Sequence, residues 1–341
     1  MHYVTDSPAR LDALKALLRP LGWEDAEATP LASDCSFRRY LRVRKGVETR
    51  IVMDSPPELC ESVAPFLFVD EILIGLQLKA PQIYAFDETL GLIVMEDMGR
   101  DSFSAVLAER PSEEARLYDC AVSALEHVER YAAPAGLKEY GAELLRTEAH
   151  LPMRWHFPFA IGEEKAGRMY EEYAAIWERL FPLMEPDSPV LVHRDYHADN
   201  LMWLQGKSGA QRVGMLDFQD AVIGHAAYDL ASLLEDVRRV VSDSVVESAL
   251  ARKTARMSAG EKERFFRDYA LYSAQRNCKI LGIFGRMSKL YGKPAYMRFL
   301  PDTWRVLEKA LRHEALRDLK TLLEAHFPPS VRRATAFGFG S

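Results

Sequence analysis

The sequence predicts an α+β protein of two lobes: a small antiparallel sheet carrying one long helix, then a larger, mainly helical part. Three observations carry that expectation. Strand-like runs crowd in before residue 97, at Phe37–Val43, Thr49–Met53, Gln82–Phe86 and Leu90–Met95. From Asp101 onward, apolar residues recur at helical spacing. One stretch, Leu191–Asp220, interrupts the helices with two short apolar runs, each leading to an acid at a strand-to-loop junction. The expected divisions are residues 1–97, residues 98–327, and a disordered Pro- and Gly-rich tail, 328–341.

Taken in order, Ser7-Pro8 has the form of a helix start, and Leu11, Leu14, Leu17 and Leu18 give one apolar face that ends at Gly22. Ser33, Asp34 and Ser36 form a turn that leads into the first strand, and Thr49–Met53 is the next. Pro56-Pro57 reads as the opening of a long helix to about Leu78, with Val63, Phe66, Leu67, Val69, Ile72, Leu73 and Leu76 on a broad apolar face. Asp70 and Glu71 on that helix read as solvated or structural. Two further strands, joined by Asp87-Glu88-Thr89, lead to Glu96-Asp97-Met98-Gly99. Asp101-Ser102 caps one helix, and Pro111–Glu114 starts another that runs to about Tyr131. Met153–Ile161 is aromatic and broken by Pro158, so Trp155, His156 and Phe157 form either a stacking wall for a ring-shaped ligand or core packing. Glu163–Leu183 and Ala226–Val237 are helical. So are Ser244–Ala251, Ala259–Cys278, Ile280–Leu290, Pro294–Arg312 and Ala315–His326, with Gly282 and Gly285 as candidate breaks.

Composition excludes several classes. A chain of 341 residues that is 48% hydrophobic is ordinary for a globular protein with two lobes. A net charge of −6 argues against general nucleic-acid binding. The cysteines Cys35, Cys60, Cys120 and Cys278 form no C-x-x-C pattern and read as free thiols of a reducing compartment. No signal-type apolar segment and no membrane-length apolar run is present, so a cytoplasmic protein without a membrane partner, and a monomer, is expected. The charge is uneven. Residues 251–320 hold 17 Lys+Arg against 7 Asp+Glu, while the remainder holds 27 against 43. Within that basic stretch Arg276, Lys279 and Arg286 fall on one side of a helix, where they either line an acceptor site or are solvated surface charge. His193, His197 and His225 are not spaced as a zinc site, and His193 is expected as a buried, hydrogen-bonded loop residue.

The chemistry concentrates in His193-Arg194-Asp195-Tyr196-His197-Ala198-Asp199-Asn200 and in Asp217-Phe218-Gln219-Asp220. The spacing H-R-D-x-x-x-x-N, then D-F, resembles the catalytic and metal loops of kinases. A hydroxyl attacking a terminal phosphate must lose its proton, and Asp195 is the carboxylate placed to take it. A triphosphate travels with Mg2+, a hard ion that prefers oxygen ligands, and Asn200 and Asp217 supply them.

Over roughly Leu11–Phe327 the chain resembles the aminoglycoside phosphotransferase family, the small-molecule branch of the protein-kinase-like fold. HRDYHADNLMWL and LDFQDAVIGHAAYDLASLLEDVRR resemble the bacterial anomeric sugar kinases that act on N-acetylmuramic acid and N-acetylglucosamine. The resemblance implies ATP as donor and Mg2+ as cofactor. It implies Ser33 and Ser36 over the phosphates, and Met95, Glu96, Met98 and Met202 around the nucleotide, with Glu96–Gly99 as hinge. It implies a small-molecule sugar acceptor, with Gln219, Asp220, Trp155, Arg276, Lys279 and Arg286 as candidate contacts. Asp229 resembles the helix acid that anchors the catalytic-loop backbone. Only 12 positions separate Asp217 from Asp229, which leaves no room for a peptide platform. One departure stands out: the strand lysine that holds phosphate is replaced by Met53-Asp54, with Arg38, Arg39, Arg42 or Arg50 as possible substitutes. A kinase for another small hydroxyl compound, such as an aminoglycoside or choline, and a nucleotide-binding pseudokinase regulator are the alternatives.

Overall fold

In the computed structural model, which describes residues 8–31 and 37–334, the chain divides by contact into two units. One comprises the residues up to Pro111 together with Asp199–Asp220; the other runs from Ser112 to Ala198 and from Ala221 onward. Strands are β1 (Glu27–Leu31), β2 (Arg39–Lys45), β3 (Glu48–Asp54), β4 (Ile83–Asp87), β5 (Leu92–Glu96), β6 (Val190–Val192), β7 (Leu201–Trp203), β8 (Val213–Met215) and β9 (Val222–Gly224). Helices are α1 (Pro8–Leu18), α2 (Ala64–Gly75), α3 (Phe103–Glu109), α4 (Glu114–Val128), α5 (Ala142–Ala149), α6 (Leu151–Trp155) and α7 (Phe157–Ile161). They continue as α8 (Glu163–Leu180), α9 (Ala227–Leu234), α10 (Asp243–Thr254), α11 (Ala259–Tyr291), α12 (Leu300–Ala310), α13 (Arg317–His326) and α14 (Pro329–Arg332). The expected α+β class holds.

The first unit is built on an antiparallel sheet of order β1-β2-β3-β5-β4. Alternation decides its two faces. Leu41, Val43, Val52 and Val94 point to one side, where Leu14 and Leu18 of α1 and Trp23 complete a core. Tyr40 and Arg42 share the other side with their cross-strand partners Met53 and Ile51, and with Ile93 and Met95. Ser102 caps α3 by accepting from the Ala105 amide at 3.1 Å, as its position predicts. The same unit contains the β7–β8 hairpin, tied to the sheet segment by the Met215 amide donating to the Lys79 carbonyl at 2.8 Å.

One expectation needs correcting here, one is decided between its alternatives, and one strand is added. The long helix does not begin at Pro56. Residues 56–62 turn instead, and α2 starts at Ala64, because two prolines remove donors and bar the residue before them from helical geometry. Of the two readings left open for Asp70 and Glu71, the structural one fits Asp70, which is buried on α2, and the solvated one fits Glu71, which is exposed. β1 was not anticipated: Glu-Ala-Thr-Pro-Leu has no alternation, and its proline is tolerated because the strand lies at the sheet edge.

The second unit is organised around α11, 33 residues long and unbroken. Ser258 and Glu261 form a capping box at its start, and Gly292 ends it at φ +62°. Gly282 and Gly285 do not break it. A Cβ on Gly282 would lie 2.4 Å from Leu151 Cβ, and one on Gly285 only 1.9 Å from the Trp155 carbonyl oxygen. The glycines are there so that α6 can lie against α11. His156 and Phe157 belong to the core, in ring contact with Trp304; Phe157 also meets Tyr173 and Phe327. The tail expected to be disordered from 328 begins with α14, where Arg332 bonds Glu308 at 2.6 Å; residues 335–341 lie outside the described residues. Among the described residues no helix is long and apolar enough to cross a membrane.

Candidate active site

Asp195 lies in the helical unit, in the loop that leaves β6. β6 pairs with β9, and β9 runs into α9, which carries Asp229. The Asp229 carboxylate accepts from two successive loop amides, His193 N at 2.6 Å and Arg194 N at 3.0 Å. This is the backbone anchor that the sequence suggested. Burial pushes the Asp229 carboxyl up to about 6, against the pull of His193 and the two amides. Arg194 itself adopts φ +73°, a left-handed conformation that a long side chain rarely takes. Its guanidinium is held by Glu148 and lies over the Tyr140 ring, 5.5 Å from the centroid. His193 is buried, as expected, but its hydrogen bond comes from the backbone; the ring packs edge-on against Tyr196.

Glu148 is the hub of a buried network that the sequence did not disclose. It receives the Arg194 guanidinium, the Tyr140 hydroxyl, and the Lys279 ammonium at 3.0 Å. Burial opposes the charge on Glu148, and Lys279 and Arg194 outweigh it, so the carboxyl sits low. Lys279 also meets the Tyr228 hydroxyl at 3.3 Å. The solvated-charge reading of the basic stretch therefore fails for two of its members. Arg276 and Lys279 are buried, at 3% and 8% exposure, and their charges reach Asp195. Burial alone would raise the Asp195 carboxyl; Lys279, His197 and Arg276 hold it down to about 2. Arg276 Nη1 has no hydrogen-bond partner among the described residues. Arg286 and Trp155 belong to the next two turns of the α6–α11 contact, where Gly285 meets the Trp155 backbone and Arg154 covers its ring at 4.8 Å.

Asn200 and Asp217 lie in the sheet unit, at the two ends of the β7–β8 hairpin. The Leu216 amide donates to the Asn200 carbonyl at 2.9 Å, which fixes the two segments together. Asp217 sits at φ +59° and is exposed; Gln219 Nε2 donates to its Oδ1 at 2.9 Å. Phe218 is fully buried and stacks on Phe66 of α2, centroids 4.6 Å apart, so the Asp217 backbone is held from behind. One carboxylate and one amide oxygen are too few to cage a metal alone. Among the described residues no three His, Cys, Asp or Glu side chains cluster as a metal site. The pair does suit Mg2+, which completes its shell with phosphate oxygens and water.

Around the hairpin, Met95 is buried on the Tyr40 face of the sheet and Met202 is buried on β7. Met98 Sδ lies 2.8 Å from where a Cβ on Gly214 would be, so a side chain there would push the end of the Met98 side chain aside. The Glu96 amide is committed to the Gln82 carbonyl at 2.8 Å, and its carboxylate to Lys79. Asp97 binds Arg42 at 2.6 Å and accepts from the Gly99 amide at 3.0 Å. Asp220 is exposed. Ser33 and Ser36 lie outside the described residues. Tyr40 was missed by sequence reading: its phenol is raised by burial and by the charge of Asp217, and Arg38 hydrogen-bonds it.

Comparison with known proteins follows the same lines. The sequence profile of the phosphotransferase enzyme family matches residues 27–266. The N-acetylmuramate/N-acetylglucosamine kinase of Caulobacter vibrioides is 33% identical, over 97% of this chain and 100% of that protein. The kinase of the same name from Pseudomonas aeruginosa is 34% identical over 89% and 90%. Among solved structures, an ethanolamine kinase of Plasmodium vivax superposes with a TM-score of 0.59 at 13% identity, covering 89% of this chain and 86% of that one; at that identity the likeness speaks for fold alone.

Proposed function

Because this chain belongs to the phosphotransferase enzyme family, we propose that it transfers the γ-phosphate of ATP to the anomeric hydroxyl of N-acetylmuramate and N-acetylglucosamine. The observation that carries the reading is the match, at 33% identity over the full length of a relative named N-acetylmuramate/N-acetylglucosamine kinase. The electrostatics support it. Two buried cations, Arg276 and Lys279, stand by Asp195, and a polycationic aminoglycoside would meet like charge there. A neutral amino sugar pays no such penalty, and the carboxylate of N-acetylmuramate gains from it. The unbonded Nη1 of Arg276 is the group we assign to that carboxylate.

In this mechanism Asp195 receives the acceptor hydroxyl. With a carboxyl held at about 2, it is ionised at any working pH but is a weak base in the ground state. It therefore orients the hydroxyl and takes the proton as the new O–P bond forms and the bond from the γ-phosphorus to the ADP oxygen breaks. The double anchor to Asp229 and the Arg194–Glu148 pair keep the loop from yielding. Asn200 and Asp217 would hold Mg2+, which would supply charge neutralisation to the triphosphate. Met95, Glu96, Met98 and Met202 border the adenine in this reading; with the Glu96 amide already bonded, carbonyl and neighbouring groups of Glu96–Met98 do the pairing. Gln219 and Asp220, next to the metal acid, are assigned to the sugar hydroxyls. We read the enzyme as a cytoplasmic monomer without nucleic-acid partners.

An ADP-release assay across N-acetylmuramate, N-acetylglucosamine, kanamycin and choline tests this. Turnover is expected on the two amino sugars, and Asp195→Asn should lower kcat by about 10²–10⁴. Turnover on kanamycin or choline with none on amino sugars would refute it.

A further inference from the structure

The Glu148 carboxylate is buried on α5, and among the described residues four side chains converge on it. Its Oε1 holds the Arg194 guanidinium and, at 3.0 Å, the Lys279 ammonium. Its Oε2 accepts from the Tyr140 hydroxyl and, at 3.4 Å, from the Gln275 amide. Those partners are held in turn. Lys279 meets the Tyr228 hydroxyl at 3.3 Å, and the Gln275 amide also donates to the Leu145 carbonyl at 3.2 Å. The Tyr140 backbone amide donates to the Ile223 carbonyl of β9 at 2.7 Å. Gly224 has no side chain to keep that segment away: a Cβ there would lie 3.1 Å from Tyr140 Cβ. Glu148 is thus a fixed point inside the helical unit, because moving a buried charge away from its partners is costly.

Of these partners, Arg194 is the one in the catalytic loop, directly before Asp195. Its φ of +73° disfavours any residue that carries a Cβ. Relaxation to ordinary backbone would redirect the chain at Asp195. The two bonds to Asp229 fix the amides of His193 and Arg194, but rotation about the Arg194 N–Cα bond, which is φ, leaves both amides in place. That rotation carries the side chain with it. A guanidinium held at Glu148 and over the Tyr140 ring therefore restrains the torsion that Asp229 does not. We propose that Glu148 is a positioning residue for Asp195: it holds the Arg194 side chain, and so the left-handed backbone that aims the carboxylate. The Arg194 guanidinium is a strut in this arrangement, not a contact for phosphate or sugar. The inference rests on Asp195 being the catalytic carboxylate, as read above.

Glycine takes positive φ at no steric cost, so Arg194→Gly and Arg194→Ala both remove the strut but only alanine keeps the strain. Both leave Glu148 paired with Lys279. Turnover of N-acetylglucosamine, and hydrogen exchange over residues 190–198, measured on the full-length protein, test the proposal. In Arg194→Ala, kcat should fall roughly five- to thirtyfold below that of Arg194→Gly, the cost of left-handed backbone to a residue with a Cβ. KM should be alike in the two, because the carboxylate is misplaced rather than the sugar released. Exchange over the loop should be faster in Arg194→Ala by a similar factor. Glu148→Gln should lower kcat in the wild type and add little in Arg194→Gly, since the strut is already gone. Tyr140→Phe, which loosens Glu148 without stranding a charge, repeats that cycle if melting curves show Glu148→Gln unfolded. Equal kcat and equal exchange in Arg194→Gly and Arg194→Ala overturn the proposal. So does a loss from the Glu148 or Tyr140 substitution that is as large in Arg194→Gly as in the wild type. A wild-type protein that turns over no sugar overturns the functional reading instead, and the exchange comparison then decides the strut alone.

Discussion

Arg194 and Asp217 are two of only three non-glycine residues with positive φ among the described residues, and each sits within or beside a candidate catalytic loop. Left-handed backbone costs about 1–3 kcal/mol at such residues and persists where neighbours over-determine it. Those neighbours are visible: Asp229 and Glu148 around Arg194, Leu216 and Gln219 around Asp217. Asp195, Asn200 and Asp217 were picked out as candidates from the sequence, because their spacing resembles that of kinase loops. Glu148 was not, since a lone carboxylate carries no such signal. The one hint was its place beside Leu145 and Ala149 on the buried face of α5. The clearest residue-scale prediction concerns Arg276. Arg276→Gln should lower kcat/KM for N-acetylmuramate about tenfold more than for N-acetylglucosamine, because only the former carries a carboxylate. Equal losses on both sugars would make Arg276 a structural cation.

At the scale of elements, periodicity located most of the longer helices and strands, missed β1 and α5, and misjudged what interrupts the helices. Pro56-Pro57 was read as a helix start and is a turn, since a proline pair satisfies no helical donor. Gly282 and Gly285 were candidate breaks, yet tertiary packing against α6 overrides their poor helix propensity. Gly285→Ala should therefore destabilise the protein by about 1–3 kcal/mol, because the new methyl must displace backbone of α6. Gly260→Ala, exposed in the first turn of the same helix with open space around it, should be neutral within about 0.5 kcal/mol. Chemical denaturation of both variants separates packing from propensity.

Asp70 of α2 gives a pH signature. Burial raises its carboxyl to about 7, with Lys79 opposing and Glu71 and Glu96 adding. The unfolded chain ionises this group near 4. Its ionisation thus costs stability increasingly as pH rises from about 4 to about 7, and by a constant amount above. Asp70→Asn removes the cost. Its melting temperature should exceed that of the wild type more at pH 8 than at pH 5; an equal difference at both would contradict the assignment.

At the scale of the whole molecule, charge distribution foretold more than composition did. The net charge is −6, but the basic stretch 251–320 places two of its cations inside the helical unit rather than on its surface. On the proposed reading that disfavours a polycationic acceptor, in agreement with relatives named as N-acetylmuramate/N-acetylglucosamine kinases. The sequence could not show burial, since α11 alternates charged and apolar residues much as a surface helix does. Phosphorus and proton NMR of the product formed from ATP, Mg2+ and N-acetylmuramate tests the central claim most directly. A single sugar phosphate, with the anomeric proton coupled to phosphorus, is the predicted result. Phosphate at any other oxygen, or no sugar phosphate at all, would contradict it.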